Sequence, residues 1–211
     1  MVEQRDIDII LNNPIDWELF RNKTVLVTGA TGRLGMYIVE AINKADIDWN
    51  LNVTILALAR NEKKMQDVFG ESLKLPNIHP IVQDITEPIR WDGPVHYIFH
   101  TAGAASPQDF TNWPVDTLWG HIQGTRNVLE LAREKKAEKI LYVSTVEVYG
   151  EWKSEQGIKE DDMGPMHCDN ARACYPEAKR MCETMLASYE AQYDIPYIGV
   201  RLCHTFGPGI V

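Results

Sequence analysis

The sequence predicts a doubly wound α/β fold, a parallel sheet with helices on both faces. Three observations carry this. Short apolar runs alternate with helical periodicities along the chain; a glycine-rich turn joins a strand-like run to a helix; and hydroxyl residues close a later run, the next helix after it bearing Tyr175 and Lys179.

In order, Ile7, Ile9, Ile10, Leu11, Trp17, Leu19 and Phe20 predict a short helix within an N-terminal extension, residues 1–20, packed on the domain formed by 21–211. Thr24-Val25-Leu26-Val27 reads as the first strand. Thr28-Gly29-Ala30-Thr31-Gly32-Arg33-Leu34-Gly35 follows it and opens a helix marked by Leu34, Ile38, Val39 and Ile42. Gly29 permits the tight turn, Gly32 lets a pyrophosphate approach the backbone, and Gly35 lets the helix lie close to the strand, with helix N–H groups facing the anion. The spacing G-x-x-G-x-x-G is one residue wider than the dehydrogenase fingerprint, so an ordinary glycine-rich βα turn is the alternative. Residues 53–58 form a buried strand, 61–69 a helical piece, and 78–82 and 95–99 two further strands. Val115, Leu118, Ile122, Val128, Leu129 and Ala132 mark one side of a long helix that ends in a cationic run, favourable at a C-terminus. Residues 139–143 are a fifth strand, 151–169 a polar acidic loop over the site, 173–192 a helix and 197–202 a sixth strand. The chain stops just past the turn at Gly207-Pro208-Gly209, as though a C-terminal substrate-binding part were truncated.

Composition narrows the function. The 211 residues carry a formal net charge of −9, which opposes binding to nucleic acid. No run approaches the roughly eighteen apolar residues of a membrane span, and the acidic start shows no secretory signal, so the cytoplasm is the default. Cys168, Cys174, Cys182 and Cys203 lack C-x-x-C spacing and read as reduced thiols; a zinc site would need His167 or His204 at the wrong spacing, and no metal is expected.

The chemistry gathers on Tyr175 and Lys179, spaced i, i+4 and so on one helix face. A nearby ammonium favours the phenolate, lowering a pKa near 10 toward the working range of a base that deprotonates an alcohol. The bland alternative is a packed tyrosine and a solvated lysine. Ser144 and Thr145 end the fifth strand at the carboxyl edge, where open α/β sheets place ligands. Glu147 stands two residues after Thr145; if the segment stays extended both face one way and Val146 the other, so hydroxyl and carboxylate reach one substrate. A solvated loop carboxylate is the rival. The second strand ends in Ala59-Arg60-Asn61 with no carboxylate for a ribose 2′-hydroxyl, and Arg60 suits a 2′-phosphate, which favours NADP while leaving NAD open.

TGATGRLG, STVEVYG, YPEAK and RLCHTFGPG occur in the order expected of an extended short-chain dehydrogenase/reductase, a Rossmann fold, and the resemblance covers about residues 21–211. His100 to Pro107 and Arg172-Ala173-Cys174-Tyr175 resemble the UDP-glucuronate decarboxylase and nucleotide-sugar 4,6-dehydratase branch of the NAD-dependent epimerase/dehydratase family. The resemblance implies that Thr145 hydrogen-bonds the sugar 4-oxygen, that Tyr175 is the base, that Lys179 also holds the nicotinamide ribose, and that Glu147 is a further carboxylate. By the same resemblance, Asp84 and Ile85 flank the adenine, Thr101, Ala102 and Ala104 line the dinucleotide, and Val146 and His204 border the substrate. Val146 stands where dehydratases carry Asp and decarboxylases Ser; His121 and His204 stand where Asn is usual. The implied enzyme epimerises, dehydrates or decarboxylates a nucleotide sugar through transient C4 oxidation by bound NAD or NADP, as a homodimer, with this fragment weak or inactive alone. A non-catalytic dinucleotide-binding or scaffold protein is the alternative.

Overall fold

The alternation becomes six parallel strands. The computed structural model describes residues 2–151 and 157–205. Strands β1 (Thr24–Thr28), β2 (Thr54–Ala59), β3 (Ile78–Val82), β4 (Tyr97–His100), β5 (Lys139–Thr145) and β6 (Tyr197–Leu202) form one sheet in the order β3-β2-β1-β4-β5-β6. Every neighbouring pair is parallel. The helices are α1 (Gln4–Leu11), α2 (Arg33–Trp49), α3 (Glu62–Phe69), α4 (Pro107–Asn112), α5 (Pro114–Lys135) and α6 (Cys174–Tyr193). The chain runs outward from β1 to β3 and returns beside β1 as β4, so the order reverses there and a crevice opens beyond the carboxyl ends of β1 and β4.

Both faces of β1 and β2 are covered, which is why these strands read as unbroken apolar runs, while the edge strands β3 and β6 leave Val82 and Ile198 exposed. Val25, Val27, Ile55 and Ala57 pack with Val39, Ile42, Met65 and Phe69 on one face. Leu26, Leu56, Leu58, Ile98 and Ile140 pack with Val128, Leu129 and Ala132 of α5 and Leu186 of α6 on the other. The two sets alternate along β1, β2 and β4 with period two. The same long helix departs from the periodic reading at its start, where Val115 is 66% exposed.

The N-terminal extension holds α1 and a 3-10 turn at Trp17–Phe20. The Tyr37 hydroxyl donates to Asp6 at 2.7 Å, Trp17 stacks on Trp49 with centroids 6.0 Å apart, and Phe20 packs on Tyr97 and Phe99. β4 begins two residues later than its apolar run and reaches His100, because pairing with β1 from Val25↔Tyr97 to Thr28↔His100 sets its ends. α4 is additional to the sequence reading, although Ser106 caps it through the Asp109 amide (3.3 Å) and Pro107 occupies its first turn.

Of the 151–169 loop, residues 152–156 lie outside the described residues; the remainder is pinned by two arginines. Arg180 donates to Val148 O (2.7 Å) and Gly164 O (2.9 Å). Arg201 donates to Glu160 O (2.8 Å) and grips the Glu183 carboxylate, its Nη2 at 2.8 Å. No helix among the described residues is long and apolar enough to cross a membrane.

Candidate active site

The glycine turn is built for close approach. Gly29 has φ +68°, and a Cβ there would fall 2.8 Å from the Ala102 backbone. A Cβ on Gly35 would fall 2.3 Å from Gly29 O, and one on Gly32 3.0 Å from the same oxygen. Gly32 N–H closes the turn on Gly29 O at 2.8 Å. The turn is drawn against the loop after β4, where Thr101 Oγ1 donates to Thr28 O (2.7 Å) and Ala102 N–H to Thr28 Oγ1 (3.3 Å). The start of α2, with Arg33 and Leu34 half-buried, therefore opens into the crevice at the sheet's reversal, and first-turn amides give it an anion-binding character. A dinucleotide pyrophosphate fits such a cradle.

Asp84 and Ile85 follow β3 on the same sheet edge. The Asp84 carboxylate accepts from the Thr86 amide (2.9 Å) and hydroxyl (2.7 Å), which hold its pKa below the ordinary carboxylate value with a further contribution from the Arg60 charge. Arg60 itself is exposed at the end of β2. Asn127 of α5 donates to Ile85 O at 2.9 Å, and a Cβ on Gly124 would meet Ile85 Cγ2 at 2.9 Å, so α5 positions this loop. Neither α5 residue figures in the sequence reading, since their partner lies some forty positions away.

Tyr175 sits in the first turn of α6, 8% exposed, hydrogen-bonded to the Thr145 hydroxyl. Ser144 turns away and donates to Glu183. Lys179, one helical turn on, is buried; its Nζ donates to Val143 O at 2.7 Å and stands 4.7 Å from the Tyr142 ring centroid and 5.9 Å from that of Tyr175. The expected depression of the phenol by this ammonium is not what the structure gives. Burial dominates and pushes the Tyr175 phenol above its ordinary value, the Thr145 hydrogen bond opposing, while burial brings the Lys179 ammonium down to about 8.

The extended geometry expected for Glu147 is also corrected. β5 ends at Thr145 and the chain turns at once into a 3-10 helix, Val146–Tyr149, so alternation with period two stops there. Glu147 N–H instead folds back on Thr145 Oγ1 (3.3 Å), and its carboxylate pairs with Arg172 at 2.9 Å, close enough for its charge to act on the Tyr175 phenol. Val146 is half-buried at the start of this turn. His204 is exposed beyond β6, and the rest of its motif, from Phe206 on, lies outside the described residues.

Two histidines form the buried floor. His121 donates from Nε2 to Ala104 O (2.9 Å) and meets the Tyr175 ring at 5.4 Å between centroids. His100 links Thr28 Oγ1 (2.8 Å) to Thr125 Oγ1 (3.1 Å), which donates to Cys182 Sγ (3.1 Å). Burial, aided by the Lys179 charge, pushes both imidazoles down to about 3. All four cysteines are free thiols, and the described residues contain no group of three or more His, Cys, Asp or Glu that could hold a metal ion.

Residues 25–210 match the sequence pattern of the NAD dependent epimerase/dehydratase family. The chain belongs to this family. Among its curated relatives, UDP-glucuronic acid decarboxylase 6 of Arabidopsis thaliana is 31% identical over 187 residues, 89% of this chain and 52% of that protein. UDP-glucuronic acid decarboxylase 1 of Xenopus tropicalis is 31% identical over 88% of this chain and 42% of that protein. The chain thus spans about half the length of the curated relatives it matches. The same fold occurs in epimerase Mth375 of Methanothermobacter thermautotrophicus (TM-score 0.75, 23% identity, covering 92% of this chain and 55% of that one). It occurs too in a UDP-glucuronic acid 4-epimerase of Bacillus cereus in complex with NAD (TM-score 0.68, 21% identity, covering 88% and 57%).

Within this family member the buried imidazoles make stability acid-sensitive. Each ionises near 3 when folded against 6.5 otherwise, so between those values the unfolded chain binds more protons. Their contribution is intact above pH 6.5 and lost as pH falls toward 3, at about 2 kcal/mol per histidine by pH 5. His121→Asn should remove one such increment. Urea unfolding at pH 7 and pH 5 checks it: an acid loss as large in the variant as in the wild type would contradict it.

Proposed function

We propose that residues 21–211 form the NAD(P)-binding domain of an enzyme that oxidises a nucleotide sugar transiently at C4, with residues 1–20 an extension to it. The observation that supports this best is the crevice itself: a glycine cradle at the sheet's reversal with Thr145, Tyr175 and Lys179 gathered beside it. Gly29, Gly32, Arg33, Leu34 and Gly35 would hold the pyrophosphate, Asp84 and Ile85 the adenine, and Thr101, Ala102 and Ala104 the nicotinamide side. The bound nicotinamide supplies a reversible hydride acceptor for C4. Thr145 orients the C4 oxygen by a hydrogen bond, and Tyr175 takes its proton. The phenol's raised pKa means that positive charge must help it ionise; Arg172 already acts in that direction, and Lys179 stands 5.9 Å from the ring centroid.

With a ketone at C4, a carboxylate at C6 is a β-keto acid and is lost as carbon dioxide, C5 taking a proton in its place. The curated relatives named above favour this outcome, and Glu147, paired with Arg172 beside Tyr175, is our candidate for the proton at C5. Incubation of the full-length protein with NAD or NADP and UDP-glucuronate, scored for carbon dioxide and for the C4 epimer, tests the reading. Either product supports C4 oxidation; carbon dioxide selects decarboxylation; absence of both contradicts it. Four free thiols agree with the reducing cytoplasm, where we place the protein.

Arg60 is our candidate for cofactor choice. Arg60→Ala should weaken NADP about tenfold or more by removing charge-assisted hydrogen bonds to the 2′-phosphate, leaving NAD nearly unchanged. Equal weakening of both dinucleotides, by titration calorimetry, would contradict it.

We further infer a homodimer through α5 and α6. Between these helices runs a groove of about 380 Å³ lined by Leu118, Ile122, Ala178 and Met181, and Trp119 beside it is 58% exposed. Light scattering should give twice the chain mass, and Trp119→Glu half of that; a monomeric wild type would reject the dimer.

A further inference from the structure

The Tyr175 ring is held on two sides by residues remote in sequence. Phe110 of α4 stacks on it with centroids 4.2 Å apart and planes 16° from parallel, and His121 of α5 meets it at 5.4 Å and 62°, an edge-to-face contact. Phe110 is itself covered by the Arg172 guanidinium, 4.7 Å from its centroid, and its carbonyl accepts from the Cys174 thiol at 3.8 Å. The imidazole stands where a side chain at position 103 would be. A Cβ on Gly103 would fall 2.1 Å from His121 Cε1 and 2.6 Å from Nδ1.

We propose that Phe110 and His121 are positioning residues that clamp the Tyr175 ring, and that Gly103 is bare so that the imidazole can enter the clamp. The proposal rests on the reading of Tyr175 as the proton acceptor. Offset stacking and edge-to-face contact are the two arrangements aromatic rings prefer, and together they fix the ring's plane and its slide within that plane. The phenol oxygen is then held toward Thr145 before any substrate arrives. Such placement matters because a misplacement of about 1 Å can cost roughly a hundredfold in rate. Neither clamp residue supplies charge to Tyr175, since the imidazole is neutral down to a pH of about 3 and Phe110 cannot ionise. Their action is geometric.

The test is nuclear magnetic resonance on the chain with ¹³C-labelled tyrosine rings, Tyr175→Phe identifying the signal. Phe110→Leu removes the stacked ring and its shielding, so the Tyr175 ring protons should move downfield more than those of any other tyrosine. Phe110→Tyr keeps a stacked ring and should leave them near their original position. A Tyr175 signal that stays in place in Phe110→Leu, or moves as far in Phe110→Tyr, overturns the clamp. Thermal melting reads the His121 side independently. Gly103→Ala should lower the melting temperature more in the wild type than in His121→Ala, because alanine removes every ring atom that the new Cβ would strike while the φ of +150° strains both backgrounds alike. Equal lowering in both overturns the pairing. All these signals are read without dinucleotide, so failure of the clamp leaves the dinucleotide reading standing, and failure of dinucleotide binding leaves the clamp standing.

Discussion

Replacing Gly35 by valine is expected to lower dinucleotide affinity at least about a hundredfold, roughly 2.7 kcal/mol, and to destabilise the fold by about 3 kcal/mol. The atoms that a Cβ at position 35 would strike are all backbone: Gly29 O at 2.3 Å, Ala30 Cα at 2.8 Å and Gly29 C at 2.9 Å. A flexible side chain could swing aside, but a turn closed by the Gly32-to-Gly29 hydrogen bond and held against Ala102 cannot move without dragging β1 and the loop after β4 with it. The two branches of valine add overlap beyond the Cβ. Displacing α2 also moves its first-turn amides away from the crevice, so affinity falls with stability. Gly120→Ala is the control, since its Cβ would meet nothing within 4 Å and an alanine in a helix interior is, if anything, stabilising. Denaturant unfolding and titration of the same two samples read both effects; a Gly35→Val chain that binds as tightly as Gly120→Ala would contradict the cradle.

In the full-length protein, Tyr175→Phe is expected to reduce turnover of UDP-glucuronate by about 10²- to 10⁴-fold, the usual worth of a positioned acid–base group, while leaving dinucleotide affinity within about threefold. The change keeps the ring, its stacking on Phe110 and its burial, and deletes only the hydroxyl bonded to Thr145. Loss of turnover with binding intact therefore separates proton transfer from folding. Undiminished turnover would remove Tyr175 from the reaction.

The sheet and its cradle were legible in the sequence because their causes are local. A strand covered on both faces is an unbroken apolar run, as at Val25 to Val27, and a turn that touches its own helix start needs glycines at fixed spacing, as at Gly29, Gly32 and Gly35. The i, i+4 pair Tyr175 and Lys179 was legible for the same reason. What the pair does to its own titration was not, because the desolvation that raises the phenol and lowers the ammonium comes from the sheet and from α4 and α5. Glu147 shows another limit: alternation with period two holds only while the chain stays extended, and the strand ends one residue after Ser144. Phe110, Asn127 and the Gly103–His121 pair were hidden because each meets its partner across eighteen to sixty-five positions of chain, where no periodicity connects them. Ser106-Pro107, by contrast, is a capping signal that could have announced α4.

The central claim is that this chain forms a nicotinamide dinucleotide site at the reversal of its sheet. Titration calorimetry of the folded chain with NAD and with NADP tests it most directly. The account predicts one site per chain for at least one of the two, abolished or severely weakened in Gly35→Val and retained in Tyr175→Phe; a folded chain that takes up neither dinucleotide would contradict it.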